Sequence, residues 1–456
     1  MPLLWRLALL FFVQDFEADA YARMQLAAQL AEAIRQGKPF WPALYVPVWP
    51  PCWQLLCAGV ELLLGNAYFV PKILAAIFGG LTPVVVFALA RRISAEPRAW
   101  WLSWLMATLA PLHVLYSTSG MSEAFYIFWF LFAAWLFLCA DTGNRWLILS
   151  ALALLPGALT RFDGWILLPA LVPLALWQKR ASLSTALLAL AVAGLGPILW
   201  FALVWRVTGD PRSFLVEHTR YVRHFYQTYK LHDLYANRGP LGLGFHLLVL
   251  LSSTGALAVV GGVVAVRQRQ QRDARGLCAW LLVALVYLEA MWLIKRQVGW
   301  RRHYLGIGLG LYPFVASWLV GLERRTAALL VGADLLFVLA TSAPFAYVPR
   351  RFAQAAAFVK PRDGRVYTDE PGVRIISQLP AERLVSDAPR LDPAAETAWL
   401  EAHDVRWVVF SEVDYSPLGE VYPWMKSAGE VAPFHLAYTP PSNHAPLPRV
   451  LVYELR

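Results

Sequence analysis

Apolar runs long enough to cross a bilayer recur from Ile73 to Tyr347, and no other feature constrains the fold of this chain as much. A helix needs about 20 mostly apolar residues to span hydrocarbon. Composition agrees, with 58% hydrophobic residues, 15% charged residues and 21 Trp; a soluble domain carries nearer a quarter charged residues. The expected fold class is a polytopic α-helical membrane protein.

Basic residues set the expected topology, because cytoplasmic loops collect Lys and Arg. Arg91-Arg92, Arg145, Lys179-Arg180, the run from Arg267 to Arg275, and Arg324-Arg325 all fall on one side if spans lie at 72–90, 99–116, 122–140, 146–160, 163–178, 183–206, 242–266, 277–294, 304–320 and 326–347. With an N-terminal helix this makes about 11 spans. The segment Met1 to Val13 is short for a span, about 20 Å if helical, and lacks the basic start and small-residue cleavage site of a leader. The first outer loop, 14–71, the 207–241 loop, the 295–303 loop and the tail then face the opposite side.

The outer loop has its own pattern. Met24, Ala27, Leu30, Ala31 and Ile34 recur at helical spacing, with Arg23, Gln25, Gln29, Glu32 and Arg35 on the other face, which predicts an amphipathic helix over 20–36 on the membrane surface. The Trp41-Pro, Pro47 and Trp49-Pro-Pro run is expected not to be regular helix, and Trp53 to Leu64 reads as an interfacial helix. From Arg350 the chain turns charged and Pro-containing. Short β-like runs at Arg365–Tyr367, Arg406–Phe410 and Val450–Tyr453, with a helix at Ala394–Ala402, predict a small soluble α/β domain. The expected domains are therefore a transmembrane domain over 1–349 and an extracytoplasmic α/β domain over 350–456.

Cys52, Cys57, Cys139 and Cys278 make no Cys-x-x-Cys pair and read as small core residues rather than a disulfide framework or zinc site. A net charge of +10 in such a chain points to cytoplasmic loops and anionic lipid, not to nucleic acid.

Chemistry concentrates in a few places. Asp15, Glu17 and Asp19 crowd the mouth of a span, where carboxylates are costly. One reading makes Asp15 or Asp19 the N-cap of the amphipathic helix. The other makes a carboxylate the general base on an acceptor hydroxyl or amine, helped by a divalent cation (Mg or Mn) between Glu17 and Asp19. Glu123 follows Ser122 at the outer end of a span, either as the first turn of a capped helix or as a functional carboxylate. Arg161 and Asp163 either pair with each other or serve a donor site. Lys295-Arg-Gln-Val-Gly-Trp-Arg-Arg-His-Tyr304 places five basic residues on the outer side, against the charge rule, which calls for an anionic partner such as a lipid headgroup. The 207–241 loop mixes aromatic and basic residues, Arg220 among them, as either an interface loop or a sugar-stacking surface.

An acidic motif after the first span, then an amphipathic helix and a Pro-rich Trp-containing segment, resembles the GT-C superfamily of integral-membrane glycosyltransferases, which includes protein O-mannosyltransferases and aminoarabinose transferases. The likeness extends through Tyr116 to Glu123, Leu159 to Trp165 and the soluble tail. It departs from the family's adjacent Asp-Glu pair, since Asp15, Glu17 and Asp19 stand at alternate positions. The resemblance implies a sugar moved from a polyprenyl-phosphate donor to a lipid, glycan or protein acceptor, with inversion, on the outer face of a bacterial or archaeal plasma membrane. It implies Asp19 as base, with Glu17 and Asp15 as further candidates, and Arg301 or Arg302, with Arg296 and His303, at the donor phosphate. Glu123, Arg161, Asp163, Arg220 and Tyr304 are expected to support the site. The competing class is a transporter or lipid flippase, against which stand the lack of an internal repeat and the clustering of charge at span ends.

Overall fold

A computed structural model describes residues 1–10, 18–228, 239–294, 301–346, 351–385, 392–412, 417–441 and 449–456. Contacts divide them into two compact units. One holds the described residues of 1–13 and 26–346, and the other those of 14–25 and 347–456.

The first unit is helical. In chain order it contains α1 (Pro2–Leu9), most of α2 (Ala18–Arg35), α3 (Cys52–Leu64), α4 (Phe69–Ile93), α5 (Pro97–Leu109), α6 (Pro111–Tyr116), α7 (Glu123–Cys139), α8 (Asn144–Ala158), α9 (Leu167–Trp177) and α10 (Leu183–Thr208). There follow α11 (Ser213–Thr228), α12 (Pro240–Thr254), α13 (Leu257–Arg267), α14 (Arg272–Leu293), α15 (Arg301–Leu319) and α16 (Arg324–Ala346). Among the described residues four helices are long and apolar enough to cross a membrane, or five if the bent pair α12 and α13 counts as one span. The chain is a multi-pass membrane protein.

Several expectations from sequence need correction. The span expected over 99–116 is broken at Ala110, which is extended (φ −51°, ψ 108°); Pro111 disfavours helical geometry in the residue before it. The span expected over 242–266 bends by 85° between α12 and α13. Such a bend exposes N–H groups that water cannot reach, and the break is tolerated because a carboxylate meets them. Asp334 of α16, itself buried, accepts from the Leu257 N–H at 3.0 Å. Gly255 at the bend has φ +82°, and a Cβ there would fall 2.3 Å from the Asp334 carboxylate, so the corner accepts glycine alone. The 207–241 segment is not simply a loop, since 213–228 is helical. Trp41–Leu44 forms a single helical turn, because Pro42 sits where its missing N–H is not required.

The helix predicted at 20–36 forms as α2, but protein covers its apolar stripe. Ala27 packs with Trp53, Val70 and Phe125, and Leu30 and Ala31 with Leu44 and Ala58. Arg23, assigned to the polar face, is 2% exposed. All four cysteines are free thiols.

One end of the helical unit is tied by basic residues that simple alternation groups together. Arg92 pairs with Asp141 at 3.0 Å and with Asp273 at 2.7 Å, and Arg180 reaches Asp273 at 2.8 Å and the Leu138 carbonyl at 2.6 Å. These contacts join the end of α4, the end of α7, the segment after α9 and the start of α14.

The second unit is built on a five-stranded sheet in the order β2-β1-β3-β5-β4, with β1 (Arg365–Thr368), β2 (Leu384–Val385), β3 (Val405–Ser411), β4 (Phe434–Tyr438) and β5 (Val450–Leu455). β2, β1 and β3 are parallel, while β5 runs antiparallel to β3 and to β4. From Trp407 to Phe410, β3 alternates between two cores. Val408 and Phe410 enter a core with Leu400, Tyr422 and Met425, whereas Trp407 and Val409 enter one with Ala355, Val359 and Val373. Both faces of the central strand are thus covered, as parallel pairing requires. The α17 helix (Arg351–Val359) places Phe352 edge-on to Tyr21 of α2 at 6.0 Å. α18 (Pro371–Ser377) is capped by Glu370, which accepts from the Gly372 N–H at 3.0 Å. β2, β4, α17 and α18 were not expected from sequence.

Two outcomes follow from buried groups. Burial pushes the Glu370 carboxyl from its ordinary 4.5 up to about 7, so the folded chain keeps a proton that the unfolded chain has already lost. Stability of the sheet unit therefore falls as pH rises from about 4.5 to about 7, by about 3 kcal/mol. Urea pulse proteolysis across that range shows the decline, and Glu370→Gln removes it. At the bend, Asp334→Ala leaves the Leu257 N–H without its acceptor, which costs roughly 1–3 kcal/mol and lowers the thermal midpoint in detergent. Asp334→Asn keeps an acceptor oxygen and loses much less.

Candidate functional site

At the end of the helical unit opposite the Arg92 cluster, the first turn of α15 sends four consecutive side chains to different neighbours. Arg301 donates to the Thr341 carbonyl on α16 at 2.6 Å. Arg302 lies 3.6 Å from the Glu123 carboxylate at the start of α7. His303 Nδ1 lies 3.3 Å from Asp163 in the short turn before α9. The Tyr304 hydroxyl is 3.2 Å from His246 Nε2 on α12. Successive helical residues point about 100° apart, so one turn serves four directions.

Arg161 occupies the centre. Its Nη1 donates to Glu123 Oε1 at 2.6 Å, while Nε and Nη2 both donate to Asp163 Oδ2, at 3.0 and 2.7 Å. A rigid planar fork suits such bridging, which an ammonium cannot copy. All of these side chains are largely buried, Glu123 at 1% exposure. His303 Nδ1 is also 3.2 Å from Arg161 Nη2, so it either donates to the Asp163 carboxylate or accepts from the guanidinium. The Arg161 guanidinium lies over the Tyr126 ring at 5.6 Å. A small pocket beside the network is lined by Tyr126, Phe130, Asp163, Tyr287, Leu288 and His303, with Ala284, Gly306 and Ile307.

Of the residues singled out in the sequence, the fold brings together Glu123, Arg161, Asp163, Arg302 and His303. Arg301 and Tyr304 flank them on the same turn. The pairing expected of Arg161 with Asp163 is present and extends to Glu123. The capping expected of Ser122 is not, because its side chain makes no cap bond; Glu123 is held by arginines instead. Arg220 stands on the exposed face of α11. Asp19 belongs to the sheet-bearing unit and lies in the first turn of α2 rather than at its cap. Asp15, Glu17 and Arg296 lie outside the described residues. Among the described residues no group of three or more His, Cys, Asp and Glu is arranged to hold a metal.

Sequence reading passed over a second polar group beside the first. His246 Nε2 meets the Glu289 carboxylate at 2.9 Å, and the imidazole stacks on Trp292 at 3.9 Å. Lys72, fully buried on α4, reaches the Tyr68 hydroxyl at 3.2 Å. The available signal was the presence of ionisable residues inside apolar runs.

Comparison with known proteins bears on the fold. No protein-family model matches the chain. An undecaprenyl phosphate-alpha-4-amino-4-deoxy-L-arabinose arabinosyl transferase of Pseudomonas fluorescens is 29% identical over 240 residues, which is 50% of this chain and 43% of that protein. The match thus spans less than half the relative's length. Among solved structures, ArnT from Cupriavidus metallidurans bound to undecaprenyl phosphate aligns with a TM-score of 0.56 at 15% identity, covering 99% of this chain and 97% of the other. Its apo form gives 0.56 at 14%, over 95% and 93%. The chain has the ArnT fold. The likeness to aminoarabinose transferases expected from sequence is therefore met in three dimensions.

The network itself generates a prediction. Arg161→Ala leaves two buried carboxylates without their shared cation, and breaking such a pair costs about 3–5 kcal/mol. Thermal unfolding in detergent is expected to shift strongly for Arg161→Ala and much less for Glu123→Gln, which removes a charge while keeping an acceptor.

Proposed function

We propose that the chain is a membrane glycosyltransferase that moves a sugar from a polyprenyl-phosphate donor to a lipid, glycan or protein acceptor. The observation that carries this reading is the first turn of α15, where Arg301, Arg302 and His303 gather in a buried polar site. The ArnT fold supports it, since a neighbour with that fold binds undecaprenyl phosphate, and the arabinosyl transferase relative carries undecaprenyl phosphate in its name. A transporter or flippase is disfavoured by the same fold.

In this reading Asp19 takes the proton from the acceptor hydroxyl or amine, with Glu17 and Asp15 as further candidates. The acceptor atom attacks the anomeric carbon, the bond from that carbon to the phosphate oxygen breaks, and configuration inverts. Arg302, with Arg301 and Arg296, balances the charge left on the departing phosphate, and His303 contributes to binding it. Arg161 is a positioning residue, since it fixes Glu123 and Asp163 beside Arg302 and His303. The finer layout, also proposed, is about 11 spans in a transmembrane catalytic domain over 1–349, an extracytoplasmic domain over 350–456, and a site facing outward from a bacterial or archaeal plasma membrane. A divalent cation, if used, would sit between Glu17 and Asp19.

Transfer assays with a panel of polyprenyl-phosphate sugars test the reading. Asp19→Asn is expected to lower turnover by about 10² to 10⁴, and Arg302→Ala by about 10² to 10³. Full activity in both variants would remove these assignments. Chelation by EDTA with unchanged rate would remove the cation.

A further inference from the structure

Helix α11 takes no part in the chemistry proposed above, and its two faces differ sharply. Phe214, His218 and Val222 recur every fourth residue and turn inward. Phe214 stacks against Phe162 at 5.6 Å and meets Phe201 at 5.4 Å and Trp200 at 5.9 Å, while His218 stands edge-on to Phe162 at 5.7 Å. The opposite face exposes Arg220 and Arg223, with Arg212 just before the helix, and Val216 between them at 58% exposure. Leu215, at its edge, is 50% exposed.

Two facts select the partner of this face. The helix directly follows α10, a 26-residue apolar helix long enough to cross a membrane, so it lies where a span leaves hydrocarbon. Its exposed face joins apolar side chains to guanidinium groups, and among the described residues of this segment the acids are Asp210, 3.6 Å from Arg212, and Glu217. Hydrocarbon beside phosphate is the chemistry of a lipid headgroup layer.

We propose that α11 is an interfacial helix whose Arg212, Arg220 and Arg223 face binds anionic phospholipid headgroups. Lipid held there bears on the site hairpin, because Phe162, the residue that α11 grips, stands between Arg161 and Asp163. The inference rests on this packing and charge and is independent of the glycosyl-transfer reading.

Native mass spectrometry of the full chain, released from bilayers that mix phosphatidylglycerol and phosphatidylcholine, tests it. The unaltered chain is expected to retain phosphatidylglycerol preferentially, with retention falling as salt is raised. Arg220→Ser with Arg223→Ser should lose this preference by roughly fivefold per arginine. Both residues are exposed, so an unchanged melting midpoint confirms that the double variant is folded. Equal retention of the two lipids by the unaltered chain would overturn the proposal. Preference that survives in the double variant would also overturn it, by assigning the lipid to another surface. No sugar transfer enters the readout, so failure here is distinguishable from failure of the proposed function.

Discussion

The bridge that Arg161 makes between Glu123 and Asp163 is the contact on which the site depends. Two carboxylates in a helical bundle with little access to water are mutually repulsive and poorly solvated. A single guanidinium lying 2.6 Å from one and 2.7 Å from the other removes both problems. It also fixes geometry, because Glu123 starts α7, Arg161 follows α8 and Asp163 precedes α9. Three helix ends are thereby drawn to one point.

With those carboxylates committed to Arg161, the basic side chains of α15 have a framework to approach. Arg302 and His303 come to the same two acids at longer distances, 3.6 and 3.3 Å. Close packing sets how deep α15 sits: a Cβ at Gly308 would lie 2.9 Å from the Thr254 backbone, and one at Gly310 2.6 Å from Leu281. These glycines of α15 therefore serve helix contact, and the polar work is left to its first turn. At the far end, Asp273 holds Arg92 and Arg180 in a similar manner, so both ends of the bundle are pinned by ionic contacts while apolar packing fills the middle.

The bend between α12 and α13 follows the same logic in a different form. An orphaned N–H within the bundle forfeits a hydrogen bond that water cannot replace, and Asp334 answers it from a helix 77 residues away along the chain. α15 thus has a committed acid at two places along it: Asp163 beside His303, and Asp334 at the corner next to Thr254, which packs against Gly308.

Hydropathy is a local property, so the sequence alone determined the membrane class and most helix positions, though not the break before Pro111. It also marked Glu123, Arg161, Asp163 and the Arg301–Tyr304 turn as chemically unusual, and it found β1, β3 and β5, whose alternation is internal to each strand. Tertiary structure alone decided the rest. Which acid meets which basic side chain depends on residues as remote as Glu123 from Arg302 and Asp163 from His303. The two-residue β2 exists only through its pairing with β1, and the bend at Gly255 only through Asp334. The division of α11 into a gripped face and an exposed face likewise needed the aromatic cluster around Phe162. Each of these rests on a partner remote in sequence, which no local pattern specifies.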